Sequence, residues 1–311
     1  MCHDILPEGR LLASPRNRTT CSSLAGLRRA MAGEDIVEGV VLLCDADKGL
    51  SVSVGPYTGY IPRKEAALGL EEGRVREIAI LSLVGKPVCF VITGISEGQD
   101  GPHLTLSRRR AQQLAWERLV RLPLGTVIPI TVTHLEPFGA FVDMGCGLPS
   151  MIGSERISVA RIRHPSERFS SGQYGWAVIW GRDEARNRLT LTHKELLGTW
   201  MENAAQFSVG MTVPGTVRGV MDYGLFVELL PNLAGLAEPH KGIRQGDRVS
   251  VYIKSLFPNT GKCKLLIIDK LPSAPPLPIH YYIPREMHLD RWDYLPTANR
   301  PGTETVFTEK E

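Results

Sequence analysis

The sequence predicts a mainly β chain of three tandem five-stranded barrels, joined by short helices and flanked by extended N- and C-terminal segments. Three observations predict it. First, Phe138-Gly139-Ala140-Phe141-Val142-Asp143 recurs as Tyr223-Gly224-Leu225-Phe226-Val227-Glu228, and each copy begins thirteen residues after a glycine, Gly125 or Gly210. Second, Leu104-Thr105-Leu106-Ser107 recurs as Leu189-Thr190-Leu191-Thr192, and each tetrapeptide begins 21 residues before the same two glycines. Third, the residues between these markers form short apolar runs bounded by turn signals, the pattern of small barrels. A fixed period of this kind marks duplicated structural units.

Residues 1–33 read as a polar arm with five arginines against two acids and a short helix near 23–32. The first unit, 34–107, places strands near 36–44, 48–52, 59–61 and 88–94, with 104–107 closing it. An insertion near 62–83 reads as helical. The positions that hold rings in the later copies are occupied here by Lys48 and Ser51, so this unit is a degenerate copy. Residues 108–124 form a helical linker. Ala111, Ala115, Leu119 and Leu122 give it an apolar stripe at helical spacing, and Pro123 stops it.

The second unit, 125–194, places strands near 126–135, 139–144, 150–152, 174–180 and 188–192, with a long arginine-rich loop over 154–171. A second helical linker spans 195–208. The third unit, 209–270, places strands near 213–221, 224–230, 235–238, 248–257 and 262–269. Pro258-Asn259-Thr260-Gly261 turns between the last two. Five short strands in about 60–75 residues fit a Greek-key barrel of the OB-fold type. The tail, 271–311, holds seven prolines yet also Tyr281, Tyr282, Trp292, Tyr294 and Phe307. It reads as extended, without a core of its own, and is expected to lie across the third barrel or meet a partner.

Composition excludes several function classes. The six cysteines are scattered without a Cys-x-x-Cys pair, so no metal site is expected, and single thiols fit a reducing, cytoplasmic compartment. No run approaches the roughly 20 apolar residues of a membrane span, and no signal peptide is evident. No Walker loop, dinucleotide fingerprint or nucleophile elbow is present, so no catalytic residue, cofactor or small-molecule substrate is expected. The net charge of +3 permits a polyanionic partner. Residues 1–33 and 209–270 each carry +3, the latter from eight basic against five acidic residues.

The candidate binding residues follow from these units. Phe138 with Phe141, and Tyr223 with Phe226, are expected to form stacking platforms for unpaired bases, worth roughly 1–3 kcal/mol per base. Three residues apart, two rings fall on opposite faces of a regular strand. A bulge at Gly139 or Gly224 is therefore expected, turning both rings outward. Val142 and Val227 are expected to point inward. Arg156, Arg161, Arg163, His164 and Arg168 crowd one loop, and guanidinium forks suit phosphates and base faces. In the third unit Arg218, Lys241, Arg244 and Lys254 are the expected backbone contacts. His103, His134 and His193 stand alone, and Trp116 and Trp200 read as linker-packing residues.

The order glycine, strand, aromatic-Gly-x-Phe-Val-acid, Gly-Leu, basic loop, strand, Leu-Thr-Leu-Ser/Thr resembles the RNA-binding repeat of the bacterial ribosomal protein S-one family. The resemblance covers roughly residues 34–270. It implies an OB-fold, single-stranded RNA or mRNA as ligand, and a role in translation at the small ribosomal subunit. The family's two ring positions fall on Phe138 and Phe141, then on Tyr223 and Phe226. Its frequent histidine after the Gly-Leu strand falls on Gly153 and Glu238. The ringless first unit resembles the family's N-terminal repeats, so residues 1–110 are expected to contact protein, including the small ribosomal subunit. Bacterial members usually carry more repeats, so the chain reads as a short or specialised relative. The alternative function is a protein-interaction adaptor built from OB-folds with weak residual RNA affinity.

Overall fold

In the computed structural model, which describes residues 5–98, 101–183, 188–275, 278–295 and 304–308, three five-stranded sheets each close into a barrel. The described chain is mainly β, as the sequence predicts. It divides into two compact units. One comprises Met1–Leu122, Pro129–Thr131 and Val142–Ser150, and the other Pro123–Ile128, Val132–Phe141 and Met151–Glu311.

The first unit opens with two short helices, α1 (Pro15–Cys21) and α2 (Leu24–Ala32). Each starts on a serine whose hydroxyl accepts a backbone N–H three residues on, Ser14 from Asn17 and Ser23 from Gly26. This is the standard N-cap device. Only the second helix is legible in the sequence. The first barrel follows: β1 (Val37–Cys44), β2 (Leu50–Val54), β3 (Tyr57–Ile61), β4 (Pro87–Gly98) and β5 (Gly101–Ser107), in the order β1-β2-β3-β5-β4. β3 and β5 run parallel, and β4 returns antiparallel to β1 to close the ring. The Leu-Ser-Val-Ser-Val run of β2 alternates inward and outward, so Leu50, Val52 and Val54 are fully buried. The insertion after β3 contains a single helical turn and α3 (Glu77–Leu81). α4 (Arg108–Leu119) buries Ala111, Ala115 and Leu119 as its stripe requires.

The arm is fastened by buried charge. Glu8 accepts from Arg108 Nε and Nη2 at 2.8 and 2.9 Å and from the Cys89 N–H at 3.1 Å. Its own N–H donates to Asp143 at 2.7 Å. Asp143, the acid of the first ring motif, also accepts from the Gly145 and Gly147 N–H groups.

The second barrel is β6 (Val127–Glu136), β7 (Gly139–Asp143), β8 (Pro149–Gly153), β9 (Tyr174–Asp183) and β10 (Arg188–Thr192), in the order β10-β8-β7-β6-β9. α5 (Trp200–Ala204) lies in the linker that follows. Trp200 is buried in the core of the third barrel. That barrel is β11 (Thr212–Met221), β12 (Gly224–Leu230), β13 (Leu233–Ala237), β14 (Arg248–Phe257) and β15 (Lys262–Leu271), in the order β11-β12-β13-β15-β14. Gly125 and Gly210, the repeat's opening glycines, both have positive φ, +89° and +94°. Side chains rarely adopt that conformation, which accounts for a glycine at this place in both copies.

The tail differs from expectation. It forms a two-stranded hairpin, β16 (Arg291–Asp293) with β17 (Glu304–Val306). Trp292 and Phe307 pack against Val127, Val178 and Leu196 rather than against the third barrel alone. Leu295 joins the third-barrel core. The tail expected to be extended is therefore in part a paired element, because its aromatics find apolar surface on β6, β9 and the turn after β10. Residues 296–303 lie outside the described residues.

Candidate nucleic-acid interface

The two ring motifs fold alike. β7 and β12 both begin at the motif glycine, so Phe138 and Tyr223 sit in the preceding turn, free of strand alternation. This geometry brings each pair of rings together, and in the third barrel it does so without a bulge at Gly224, which pairs with Met221. Phe138 and Phe141 stand 6.0 Å apart, edge to face at 86°, and Tyr223 and Phe226 stand 6.3 Å apart at 90°. Phe138 is 58% exposed, Tyr223 65% and Phe226 37%, while Val142 and Val227 are fully buried. Phe141 is half-buried.

In the third barrel the bulge lies on the partner strand. β11 pairs Val217 with Val227 and then Gly219 with Phe226, leaving Arg218 as the extra residue. The motif glycines have a different cause. A Cβ on Gly139 would stand 2.6 Å from the Ile152 carbonyl oxygen, and one on Gly224 2.4 Å from that of Ala237. Only glycine allows the neighbouring strand so close.

Further aromatic groups stand in the second barrel. The His134 ring is 6.1 Å from Phe141, and its Nε2 is 2.7 Å from Glu136. The Arg156 guanidinium lies 3.4 Å from the centre of the Trp180 ring, which is 36% exposed. Sequence reasoning set His134 aside as isolated and did not single out Trp180. Trp180 extends an apolar run, Ala177-Val178-Ile179, that reads as core. Its exposure follows from an irregular register where β10 meets β9 between Thr190 and Leu191.

The predicted cations divide into two groups. Arg168 and Arg218 are not displayed to solvent. Arg168 Nη2 donates to Glu228 Oε2 at 2.5 Å, with the two side chains only 4% and 9% exposed. Arg218 donates to both Glu228 oxygens, at 2.7 and 3.2 Å, and also to Glu167. Burial pushes the pKa of Arg168 below the ordinary arginine value. The expectation that these two grip phosphates is therefore corrected: an internal carboxylate, the acid of the second ring motif, holds both.

Arg161, Arg163, Lys241 and Arg244 are exposed. His164 is half-buried and bonded through Nδ1 to Ser166. Lys254 is exposed but donates to Glu238 at 2.8 Å, a pairing that lowers the glutamate's pKa. The two places where the family's histidine would fall hold acids nearby. Glu238 is one, and the Glu155 carboxylate lies where a side chain on Gly153 would stand, its nearest oxygen 2.5 Å from the Cβ position. Among the described residues, no group of His, Cys, Asp and Glu could hold a metal ion. Among the same residues, no helix is long and apolar enough to cross a membrane.

No family model matches the chain. Its sequence does match curated relatives. Small ribosomal subunit protein bS1 of Leuconostoc lactis is 34% identical over 172 residues, 50% of this chain and 40% of that protein. The protein of the same name from Chlamydia muridarum is 29% identical over 245 residues, 72% of this chain and 43% of its own length. The chain thus spans less than half the length of these relatives, and its resemblance to them extends well beyond the ring motifs. Among solved structures, a multidomain protein with nucleic acid binding domains from Streptococcus pneumoniae aligns over 76% of this chain and 74% of its own. Its identity is 14% and its TM-score 0.24, so the fold assignment rests on the strand order and not on that likeness.

Proposed function

We propose that the chain is a non-catalytic, single-stranded RNA-binding protein of translation whose second and third barrels stack unpaired bases on Phe138 with Phe141 and on Tyr223 with Phe226. The observation that carries the proposal is the duplicated, exposed, edge-to-face ring pair at the same place in two OB-type barrels. A π-face accepts any base, so such platforms bind single strands with little sequence preference. The similarity to proteins named small ribosomal subunit protein bS1 supports RNA as the ligand and the small ribosomal subunit as the place of action, and mRNA is the form of RNA that the family resemblance implies.

Arg161, Arg163, Lys241 and Arg244 supply the phosphate contacts, with Arg156, His164 and Lys254 at the margins. Arg156 has a further option. Its guanidinium already covers the Trp180 ring, and an incoming base can take that face while the arginine turns to a phosphate. Residues 1–110, including the ringless first barrel, are assigned to protein contact at the ribosome, and the setting is the cytoplasm. Titration of short single-stranded RNA with the intact chain tests the proposal. Substitution of Phe138 and Tyr223 by alanine must weaken binding, and added salt must weaken it as well.

A further inference from the structure

We infer that two loops assigned by sequence to separate barrels form one basic seam, which carries the phosphates of a single continuous strand from the second barrel's rings to the third's. The inference rests on the RNA-binding reading above and deepens it. The first loop follows β8 and contains Arg161 and Arg163. The second precedes β14 and contains Lys241 and Arg244.

Arg218 joins the two loops. Its guanidinium donates to Glu167 in the first, and its carbonyl accepts from Gln245 Nε2 in the second at 2.6 Å. The second loop is further fixed where the Gly246 N–H donates to the Val217 carbonyl at 2.7 Å. Arg163 Nη2 lies 3.7 Å from the place a Cβ on Gly246 would take, so the loops meet. Around this junction Arg168 and Glu228 form their buried pair. The Val159 N–H donates to Asn232 Oδ1 and the Ala160 N–H to the Pro231 carbonyl, each at 3.0 Å. The two loops are therefore tied together through Arg218, whose guanidinium is held beside the buried Arg168–Glu228 pair.

The chain segments that frame the seam also adjoin both ring motifs. Arg218 precedes Gly219, the cross-strand partner of Phe226. At the other end the Ser154 N–H donates to the Phe138 carbonyl at 3.0 Å, at the start of the first loop. The local acids are already occupied, Glu167 by Arg218 and Asp247 by Lys270 at 2.8 Å. Arg161, Arg163, Lys241 and Arg244 are exposed, and Arg244 lies near enough to Asp247 to help Lys270 lower its pKa. Four exposed cations in the same two barrels as the exposed ring pairs fit a polyanion that also carries planar bases. An acidic peptide would use the cations alone.

The test compares oligouridine of about 6 and about 24 nucleotides, lengths chosen to occupy about one or both barrels, by fluorescence anisotropy at several salt concentrations. The wild-type chain should prefer the long strand. The variant Arg161→Ala/Arg163→Ala/Lys241→Ala/Arg244→Ala alters only exposed side chains. It should lose at least about tenfold on the long strand, with its salt slope falling by about 0.7 per lost phosphate contact. Its affinity for the short strand should fall by less, since ring stacking remains, so the ratio of long-strand to short-strand affinity should drop by at least about threefold. Glu228→Gln, checked for folding by thermal unfolding, should likewise erase the preference for length while sparing the short strand.

The inference is overturned if the fourfold variant keeps wild-type affinity and salt slope on the long strand, or if polyglutamate competes as well as RNA. If the wild-type chain binds neither length, the RNA-binding reading itself fails, and the inference with it.

Discussion

Arg168 and Glu228, sixty residues apart, form a buried ion pair at 2.5 Å in which the arginine comes from a loop of the second barrel and the glutamate from the third barrel's ring motif. The equivalent acid of the second barrel, Asp143, accepts the N–H of Glu8 from the N-terminal arm. The last position of the motif thus serves as an attachment point for a preceding segment in both copies. It does not face a ligand in either.

Removing one member of that pair leaves a buried charge without its partner, which costs about 3–5 kcal/mol. Arg168→Ala and Glu228→Gln should each lower the denaturant midpoint, and the double variant should lose much less than the sum. A simple sum would show that the pair is not energetically coupled.

Gly139 and Gly224 are both fixed by the nearness of the adjacent strand. Gly139→Ala and Gly224→Ala should each destabilise the chain by about 1–3 kcal/mol, the usual range for overpacking. Wild-type stability by thermal unfolding would remove this account of the motif's second position.

His193 is fully buried. Its Nδ1 lies 2.8 Å from the Ile157 carbonyl and its Nε2 3.2 Å from the Tyr281 hydroxyl of the tail. The first contact fixes the Nδ1–H tautomer, leaving Nε2 as acceptor. Burial, with a smaller push from Arg168, lowers its pKa from 6.5 to about 4. The folded state therefore holds fewer protons than the unfolded chain between these values. Stability is complete above about pH 6.5 and falls as pH drops towards 4. Each pKa unit is worth about 1.4 kcal/mol, so the loss approaches about 3 kcal/mol. Urea unfolding across this range should show the decline, and His193→Gln should flatten it.

Much of this architecture is legible in the sequence. Period-two alternation and duplicated turn signals locate all fifteen barrel strands to within a few residues, because each strand has one wet face and one dry face. The ring pairs are equally plain, since repetition marks them. What escapes notice depends on partners distant in sequence. Nothing near Arg168 reveals Glu228, so a loop rich in arginine reads as uniformly exposed. Trp180 hides inside an apolar run, and its stacking on Arg156 exists only once β9 and the end of β8 are brought together. The tail's hairpin depends on apolar surface supplied by Val127, Val178 and Leu196, which no local pattern in the tail announces.

The most direct test of the central claim is a filter-binding titration of single-stranded RNA against the intact chain and its Phe138→Ala/Tyr223→Ala variant. Both rings are largely exposed, so the variant should unfold at the wild-type temperature. At about 1–3 kcal/mol per stacked base, it should bind RNA at least about tenfold more weakly. Unchanged affinity in the folded variant would contradict the claim that these rings hold RNA.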